Sequence, residues 1–271
     1  MNLTLIPSPF SLDNHRVGMG RAPEALLAAG LVAALESDGH TVSVAEGDLD
    51  LGSGDRLARI GRNDAILAGA VAQAHRAGNL PLILGGDCLV SIGVVAGLRR
   101  ALAEDFGILW FDAHGDFNTP DTTLSGYLGG MPLACCCGRG LEQLREAAGL
   151  AQPVNEAHVV MLGVRDLDPP EKALLDTTPV RVFAPAQVPG FTGDARPTYL
   201  HFDIDALDPA HAPGVNYPAP HGLDPAMAIA AARKARLRLA AFSLTAVDPE
   251  RDQDERTVKV GVEVIRGVLR E

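Results

Sequence analysis

The chain has 271 residues, and its 23 basic and 34 acidic residues leave a formal net charge of −11. Its hydrophobic content of 47% and charged content of 21% are typical of globular proteins and exclude a disordered chain. The acidic balance argues against a nucleic-acid partner, and charges or Gly/Pro interrupt every apolar run, which argues against a membrane span. The N-terminus lacks a signal-peptide pattern and three of the four cysteines are consecutive, so we expect a cytoplasmic protein.

Short apolar segments rich in β-formers alternate along the chain with longer segments rich in Ala and Leu. The predicted strands cover residues 3–7, 40–45, 80–84, 106–111, 157–164, 179–184, 198–205 and 239–245. The predicted helices cover residues 22–39, 63–78, 89–104, 141–150, 224–238 and 254–270. Because nearly all-apolar strands are buried on both faces, the pattern predicts an α/β fold with a three-layer, doubly wound, mainly parallel sheet of eight strands. The sequence shows no linker or repeat, so a single domain over residues 1–271 is expected.

Polar clusters follow three of the predicted strands at their carboxyl ends, where open parallel sheets bind ligands. "GGDC" (85–88) follows the third strand, "DAHGD" (112–116) follows the fourth, and "DID" (203–205) ends the seventh. Alternate residues of an extended segment face the same side, so Asp112, His114 and Asp116 are expected to converge, as are Asp203 and Asp205. Four carboxylates and an imidazole repel or desolvate one another unless cations are present, and their number favours two ions over one. Each motif alone is common in turns and caps, but the three together predict a metal centre.

These three segments resemble the metal-binding signatures of the arginase/agmatinase/formiminoglutamase (ureohydrolase) family, which read GGDH, DAHxD and S-F-D-x-D-x-x-D-P. Further segments similar to that family are "RVGMGRAPEALLAAGL" (16–31), "SGYLGGMPLA" (125–134) and "LGVRDLDPPE" (162–171). The resemblance covers most of the chain. It implies a binuclear manganese site that activates a bridging water for attack on the sp² carbon of a guanidine or amidine. It also implies a small-molecule substrate and, by analogy, a homo-oligomer.

The resemblance assigns roles residue by residue. It implies one ion held by Cys88, Asp112, Asp116 and Asp203, and a second held by Asp112, His114, Asp203 and Asp205. The expected catalytic residues are Asp205, Asp116 and His114, with Asp205 orienting the attacking water.

At the other end of the substrate, Asn118 and Ser125 match positions that contact the α-amino-acid group. Asp168 and Glu171 match acidic residues that recognise its α-amino group, partly through water. Without the resemblance, Asp168 and Glu171 would be interpreted as an acidic cap on a helix that follows a Pro-rich turn.

Four positions depart from the family pattern around the reacting end of the substrate. Cys88 replaces a metal-binding histidine, so it is either a thiolate ligand that favours Zn²⁺ or Fe²⁺ over Mn²⁺, or an inert buried thiol. Gly129 replaces a histidine that shuttles protons, a role worth roughly 10²–10⁴-fold in rate. Ala246 replaces a glutamate that holds the guanidinium, and Tyr217 replaces a small residue that meets the same group.

These departures predict a changed reacting group rather than a lost activity. A group that is neutral near pH 7 needs no carboxylate partner, so N-hydroxy-L-arginine is the preferred substrate, whereas the cation of arginine would be badly paired. Arginine, formiminoglutamate and agmatine remain alternatives, although agmatine lacks the carboxylate that Asn118 and Ser125 would read. A non-catalytic relative and an enzyme with Cys88 as nucleophile are two further hypotheses.

Overall fold

The computed structural model of the protein describes residues 1–45, 52, 54–193 and 196–270, and within them eight strands form one sheet. All neighbouring strands of this sheet are parallel, and each lies on one of the eight predicted segments. The predicted α/β class with a doubly wound parallel sheet is therefore confirmed. The strands are β1 (Asn2–Ser8), β2 (Thr41–Val44), β3 (Leu80–Gly85), β4 (Gly107–Phe111), β5 (Val159–Leu162), β6 (Arg181–Phe183), β7 (Thr198–Asp203) and β8 (Leu239–Thr245).

Helices cover both faces of the sheet. In chain order they are α1 (Ala22–Ala28), α2 (Leu31–Ser37), α3 (Arg56–Arg76), α4 (Val90–Ala101), α5 (Pro132–Cys136), α6 (Glu142–Ala148), α7 (Pro169–Leu175), α8 (Pro225–Ala232) and α9 (Arg256–Leu269). The helix predicted over residues 22–39 is divided into α1 and α2, because Gly30 adopts a left-handed φ of 83° that ends the first helix. Among the described residues, no helix combines the length and the apolar character that crossing a membrane requires.

The strand order brings the carboxyl ends of four strands together at the centre of the sheet. Across the sheet the order is β2-β1-β3-β8-β7-β4-β5-β6. β3 and β4 are consecutive in the chain, yet β7 and β8 lie between them. Such a change in strand order opens a crevice beyond the carboxyl ends of the strands. The segments after β3, β4 and β7, which carry the predicted metal ligands, all begin at this crevice.

The two faces of the sheet bury different layers of side chains. On one face, Phe202 belongs to a core cluster that includes residues of α1, α8 and α9. On the other face, Trp110 and Tyr199 pack with residues of α3 and α4. Alternation along β4 and β7 therefore places Asp112 and Asp203 above the layer that contains α3 and α4.

Candidate metal centre and substrate cavity

The turn after β3 is held closely against the N-terminal segment. A Cβ on Gly86 would lie 1.8 Å from a backbone oxygen of that segment, so only glycine fits there. The carboxylate of Asp87 accepts the backbone N–H of Leu12 on one oxygen and that of Leu89, at 3.0 Å, on the other. Burial raises the pKa of Asp87 to about 6. The turn is thereby fixed, and it delivers Cys88 to the centre of the sheet.

Cys88 is buried beside β7 and β8. Its thiol donates a hydrogen bond to Oδ2 of Asp203 at 3.0 Å, and its sulfur lies 3.5 Å from Oγ1 of Thr245. Burial, followed by the charge of Asp203, raises the pKa of this thiol well above its usual range. The thiolate form therefore needs a nearby cation. The structure brings Cys88 to the predicted carboxylates, and its binding of metal stays a prediction.

The segment after β4 is a loop rather than the extended strand that its alternating residues suggested. β4 ends at Phe111, and Asp116 adopts a left-handed φ of 47°. Asp112 is oriented by the indole N–H of Trp110 at 3.0 Å and by the backbone N–H of His114 at 2.7 Å. His114 and Asp116 border one crevice and Asp112 is buried against His114, but a left-handed turn brings them there because the strand has already ended.

The carboxylates of β7 are also brought together by a turn. β7 ends at Asp203, whose Oδ1 accepts the backbone N–H of Asp205 at 2.8 Å across one turn of 3₁₀ helix. Oδ1 of Asp205 accepts the backbone N–H of Ala113 at 3.1 Å. Nδ1 of His114 lies 3.3 Å from Oδ1 of Asp112 and 3.2 Å from Oδ2 of Asp205. One imidazole thus joins carboxylates that come from two different strands.

The side chain of Arg165 stabilises this turn by hydrogen bonding to backbone carbonyl groups. Its guanidinium donates to the carbonyl oxygens of Asp205 at 2.8 Å, of Ala219 at 2.8 Å and of Gly163 at 2.9 Å. A guanidinium can satisfy several carbonyl groups at once because its five N–H donors are held in a rigid plane. The Arg of the "LGVRDLDPPE" segment is therefore a structural residue, to which the sequence analysis gave no role.

The carboxylates carry more negative charge than the surrounding side chains neutralise. Burial raises the pKa of Asp112 to about 6, and burial together with neighbouring acids raises the pKa values of Asp116 and Asp203 well above the usual range. Although burial opposes ionisation of Asp205 as well, His114 holds the pKa of Asp205 below its usual value. Burial disfavours the charged form of His114, but Asp112 and Asp205 raise its pKa to about 12. One imidazolium among four carboxylates leaves a site that favours added cations.

The donor atoms fit divalent metal ions. Oδ2 of Asp116 is buried and has no hydrogen-bond partner in the part of the chain that the structure describes. A set of carboxylate, imidazole and thiol ligands suits Mn²⁺, Zn²⁺ or Fe²⁺. A carboxylate that can bind two ions at once, as Asp112 could, suits a pair of ions. Within the described ranges, two groups have ligand atoms within 4.8 Å of one another: Asp112, His114 and Asp205, and Cys88, Asp112 and His201.

A cavity of about 600 Å³ opens above the carboxylates. Asp168 is the N-cap residue of α7, yet its side chain makes no capping hydrogen bond to a described residue. Asp168 and Glu171 therefore do lie at the N-terminal end of a helix, as the alternative interpretation expected, and the carboxylate of Asp168 is also available to the cavity. All five predicted substrate residues border this cavity: Asn118, Ser125, Asp168, Glu171 and Tyr217.

Two of these five residues also hold the loop that follows β4. Oε1 of Glu171 accepts the backbone N–H of Phe117 at 2.8 Å, and burial raises the pKa of Glu171 to about 7. Oδ1 of Asn118 accepts the hydroxyl of Thr122 at 2.9 Å, which leaves its amide group to other partners. Glu171 therefore combines a structural hydrogen bond with its position at the cavity.

The positions that depart from the family pattern border the same cavity. A Cβ on Gly129 would lie 2.3 Å from a ring carbon of Tyr127, so Tyr127 fills the space that a side chain at position 129 would need. The ring of Tyr217, which is 53% exposed, lies 5.5 Å from the ring of Tyr127. Ala246 is buried at the cavity wall with a left-handed φ of 65°. Aromatic and methyl groups thus stand where the pattern has imidazole and carboxylate.

Among the residues at or beneath the cavity to which the sequence analysis gave no role are Tyr127, Asn216 and His201. Oδ1 of Asn216 is buried at the cavity and lacks a hydrogen-bond partner among the described residues. Tyr127 and Asn216 are near neighbours of Gly129 and Tyr217 in the sequence, so the motifs contained them without marking them. The signal for His201 was stronger, because "HFDID" has His where the family pattern S-F-D-x-D has Ser.

Comparisons with known proteins identify the family of the chain. The family model described as "Arginase family" matches residues 1–270. The arginase of Bacillus caldovelox is 31% identical over 296 aligned residues, which cover 99% of this chain and 98% of that protein. The arginase of Brevibacillus brevis is 30% identical over 294, with 99% and 97% covered. The crystal structure of arginase from Bacillus subtilis matches with a TM-score of 0.89 and 29% identity, over 100% of this chain and 99% of that one. The chain therefore belongs to the arginase family.

Proposed function

We propose that this arginase-family hydrolase uses divalent metal ions to cleave a C–N bond of a guanidine or amidine group on an arginine-like substrate. The observation that carries the proposal is the acidic group at the base of the cavity: Asp116, Asp203 and Asp205 border the cavity with His114, and Asp112 is buried against His114. Bound cations would stabilise such a cluster of carboxylates, and the cavity above it has room for a small molecule. Relatives similar in sequence and in fold over almost the whole chain are named as arginases, which supports the reaction class.

The metal ligands proposed for two ions are Cys88, Asp112, His114, Asp116, Asp203 and Asp205. Mn²⁺ is the first choice because carboxylates dominate the set, and Zn²⁺ or Fe²⁺ are alternatives because of Cys88. Bound ions would supply a water molecule with its pKa lowered towards neutrality.

We assign the catalytic roles to Asp205, Asp116 and His114. Oδ1 of Asp205 is already fixed by the backbone of Ala113, so Asp205 can hold the attacking water in one orientation. Asp116 offers a buried oxygen without a partner among the described residues, as a residue awaiting a ligand would. His114 joins Asp112 to Asp205 and keeps their oxygens directed at the same point.

At the other end of the cavity, neutral and acidic groups would read the α-amino-acid part of the substrate. Asn118 and Ser125 can donate hydrogen bonds to a carboxylate, and Asp168 and Glu171 can accept them from an ammonium group. By family analogy the protein acts as a homo-oligomer in the cytoplasm on a small molecule.

The preferred substrate is N-hydroxy-L-arginine. Ala246 offers no carboxylate to a guanidinium, and both oxygens of the nearby Asp87 are engaged by backbone N–H groups. The buried Oδ1 of Asn216 is instead a neutral acceptor that suits an N–H or O–H donor without requiring a positive charge. A neutral N-hydroxyguanidine therefore fits this wall better than the cation of arginine, whose unpaired burial costs several kcal/mol.

Ordinary arginase activity is the second candidate, favoured by the names of the relatives. Formiminoglutamate is a third candidate substrate, and its reacting group is not a guanidine. A non-catalytic role is disfavoured because the five predicted ligands besides Cys88 still lie together, four of them at the cavity and Asp112 buried against His114.

Turnover of arginine and of N-hydroxyarginine at the same metal loading tests the proposal. We expect kcat/KM to be at least about tenfold higher for N-hydroxyarginine, a difference of about 1.4 kcal/mol. Ala246→Glu should shift the ratio towards arginine, because it restores a carboxylate, whereas the matched neutral variant Ala246→Gln should not. Equal or better turnover of arginine by the unmodified protein would make ordinary arginase the correct function, and no turnover of either would contradict both.

A further inference from the structure

A buried column of polar side chains lies directly beneath Cys88. Oγ1 of Thr245 lies 3.5 Å from the sulfur of Cys88 and 3.4 Å from Nε2 of His201. On the far side of the imidazole, Nδ1 of His201 lies 2.9 Å from Oγ of Ser243 and 3.1 Å from the hydroxyl of Tyr199. The side chains of this column come from β7 and β8, and all of them are buried.

The neighbours of His201 in this column determine which of its ring nitrogens lies towards Cys88. The imidazole stacks on Trp110 with ring centroids 3.6 Å apart and an angle of 15° between the planes, so the ring cannot tilt freely. Nδ1 can donate its hydrogen to Ser243 or Tyr199, and in that tautomer Nε2 carries a lone pair on the side of Thr245 and Cys88. Histidines that bind metals commonly donate their second N–H to such a neighbour, which sets both the tautomer and the ring orientation.

Two substitutions in the family pattern complement each other here. Cys88 stands where GGDH has histidine, and His201 stands where S-F-D-x-D has serine. The imidazole that is missing after β3 is thus supplied by His201 of β7, which lies beneath Cys88. A nitrogen of His201, the sulfur of Cys88 and a carboxylate oxygen of Asp112 lie within 4.8 Å of one another. Ligand atoms around one tetrahedral ion lie roughly 3.5 Å apart, so a small movement of the Cys88 and Asp112 side chains towards the fixed imidazole would bring these three onto one ion.

We propose that Nε2 of His201 is a metal ligand, so that Cys88, Asp112 and His201 form one buried ion position beneath the cavity, which Cys88 borders. The inference rests on the proposed function for the presence of metal, and adds a ligand and a metal preference to it. Thiolate and imidazole donors favour Zn²⁺ or Co²⁺, whereas the carboxylate-rich position at His114 and Asp205 suits Mn²⁺. The two positions therefore differ in metal selectivity.

X-ray absorption of the full-length protein with one equivalent of Zn²⁺ tests this without any measurement of turnover. We expect sulfur at about 2.3 Å and imidazole nitrogen at about 2.0–2.1 Å around the same ion. His201→Ser, which restores the residue of the family pattern, should keep the sulfur, lose the imidazole and weaken Zn²⁺ binding by about 100-fold or more. The matched control His158→Asn removes a histidine at the opposite end of the sheet and should leave both the spectrum and the affinity unchanged.

Unchanged Zn²⁺ affinity and an unchanged spectrum in His201→Ser would overturn the inference. If that variant does not fold, the unmodified protein decides, since a first shell that contains sulfur without imidazole, or no sulfur at all, contradicts it. A Zn²⁺ ion with sulfur and imidazole in a protein that hydrolyses no amidine would support this inference while rejecting the proposed function.

Discussion

Gly129 and Tyr127 share one space at the wall of the cavity. The hydroxyl of Tyr127 would lie 2.7 Å from a Cβ on Gly129, closer than real side chains approach. Burial raises the pKa of Tyr127 above its usual range, so the phenol remains a neutral hydrogen-bond donor at working pH. The absence of the family's histidine at position 129 is thus related to an aromatic ring two residues earlier, because a side chain at position 129 would require the ring of Tyr127 to move.

This coupling predicts the outcome of a double-mutant cycle. Gly129→Ala should destabilise the protein by about 1–3 kcal/mol, because the new methyl group overlaps the ring of Tyr127. In the background of Tyr127→Ala, the same substitution should cost much less, since the ring is gone. Urea unfolding of the four proteins measures both values. Additive effects would mean that the ring is not what requires glycine at position 129.

At the scale of elements, one carboxylate ties the end of α2 to the end of α9. Asp38 follows α2 directly and accepts hydrogen bonds from Arg266 at 2.7 and 2.9 Å. It also accepts two from Arg270, at 2.9 and 2.7 Å. The hydrogen bond from Arg266, followed by that from Arg270, holds the pKa of Asp38 well below its usual value. The closing helix of the chain is thereby fastened to the second helix.

The low pKa of Asp38 predicts a pH-dependent contribution to stability. A carboxyl group whose pKa is lower in the folded state stabilises the fold above its unfolded pKa of about 3.9, and this contribution is lost as pH falls further. Asp38→Asn should therefore be less stable than the unmodified protein at pH 7, with the difference shrinking below pH 4. Urea unfolding at both pH values measures it. The control is Asp176→Asn, which removes an exposed ion pair with Lys172 and should have little effect at either pH.

At the scale of the whole molecule, the acidic cluster couples stability to bound metal. The chain has a formal net charge of −11, and four buried carboxylates meet at the centre of its sheet. Without metal, the raised pKa values of Asp112, Asp116 and Asp203 mean that the folded state holds protons that the unfolded state has released. Stability then falls as pH rises from about 4 to 6 and beyond. The stabilising charge of His114 is lost in the same direction, above about 6.5.

Metal removal should consequently destabilise the protein more at higher pH. Bound ions replace the missing positive charge, and an ion at 100 times its Kd adds about 2.7 kcal/mol to the free energy of unfolding. We expect the Tm difference between Mn²⁺-loaded and chelated protein to widen as pH rises from about 5.5 to 7.5, because the ligands must lose protons to bind. Asp203→Asn should lose most of this difference. A difference that stays constant with pH would contradict the coupling of the ligands' protons to metal binding.

The sequence by itself determined the strands, the fold class and the family. Apolar segments between Gly- and Pro-rich turns identified all eight strands. The central strands β3, β4, β5, β7 and β8 are buried on both faces and need continuous hydrophobic residues, whereas the edge strands β2 and β6 are largely exposed. Asp112, His114, Asp116, Asp203 and Asp205 could be found from their spacing, because the carboxyl ends of parallel strands meet at one edge.

Contacts between distant segments were decided by the tertiary structure alone. The convergence of the carboxylates depends on a left-handed Asp116 and a turn after Asp203, whereas spacing had suggested extended strands. His201 lies close to Cys88, although 113 positions (201 − 88) separate these two residues in the sequence. The ring of Tyr127 occupies the space next to Gly129, which the spacing of the two residues did not predict. Side-chain periodicity records which face of an element is buried. Which side chain of another strand lies beside it is set by strand order and register, and these arise only when the whole sheet has assembled.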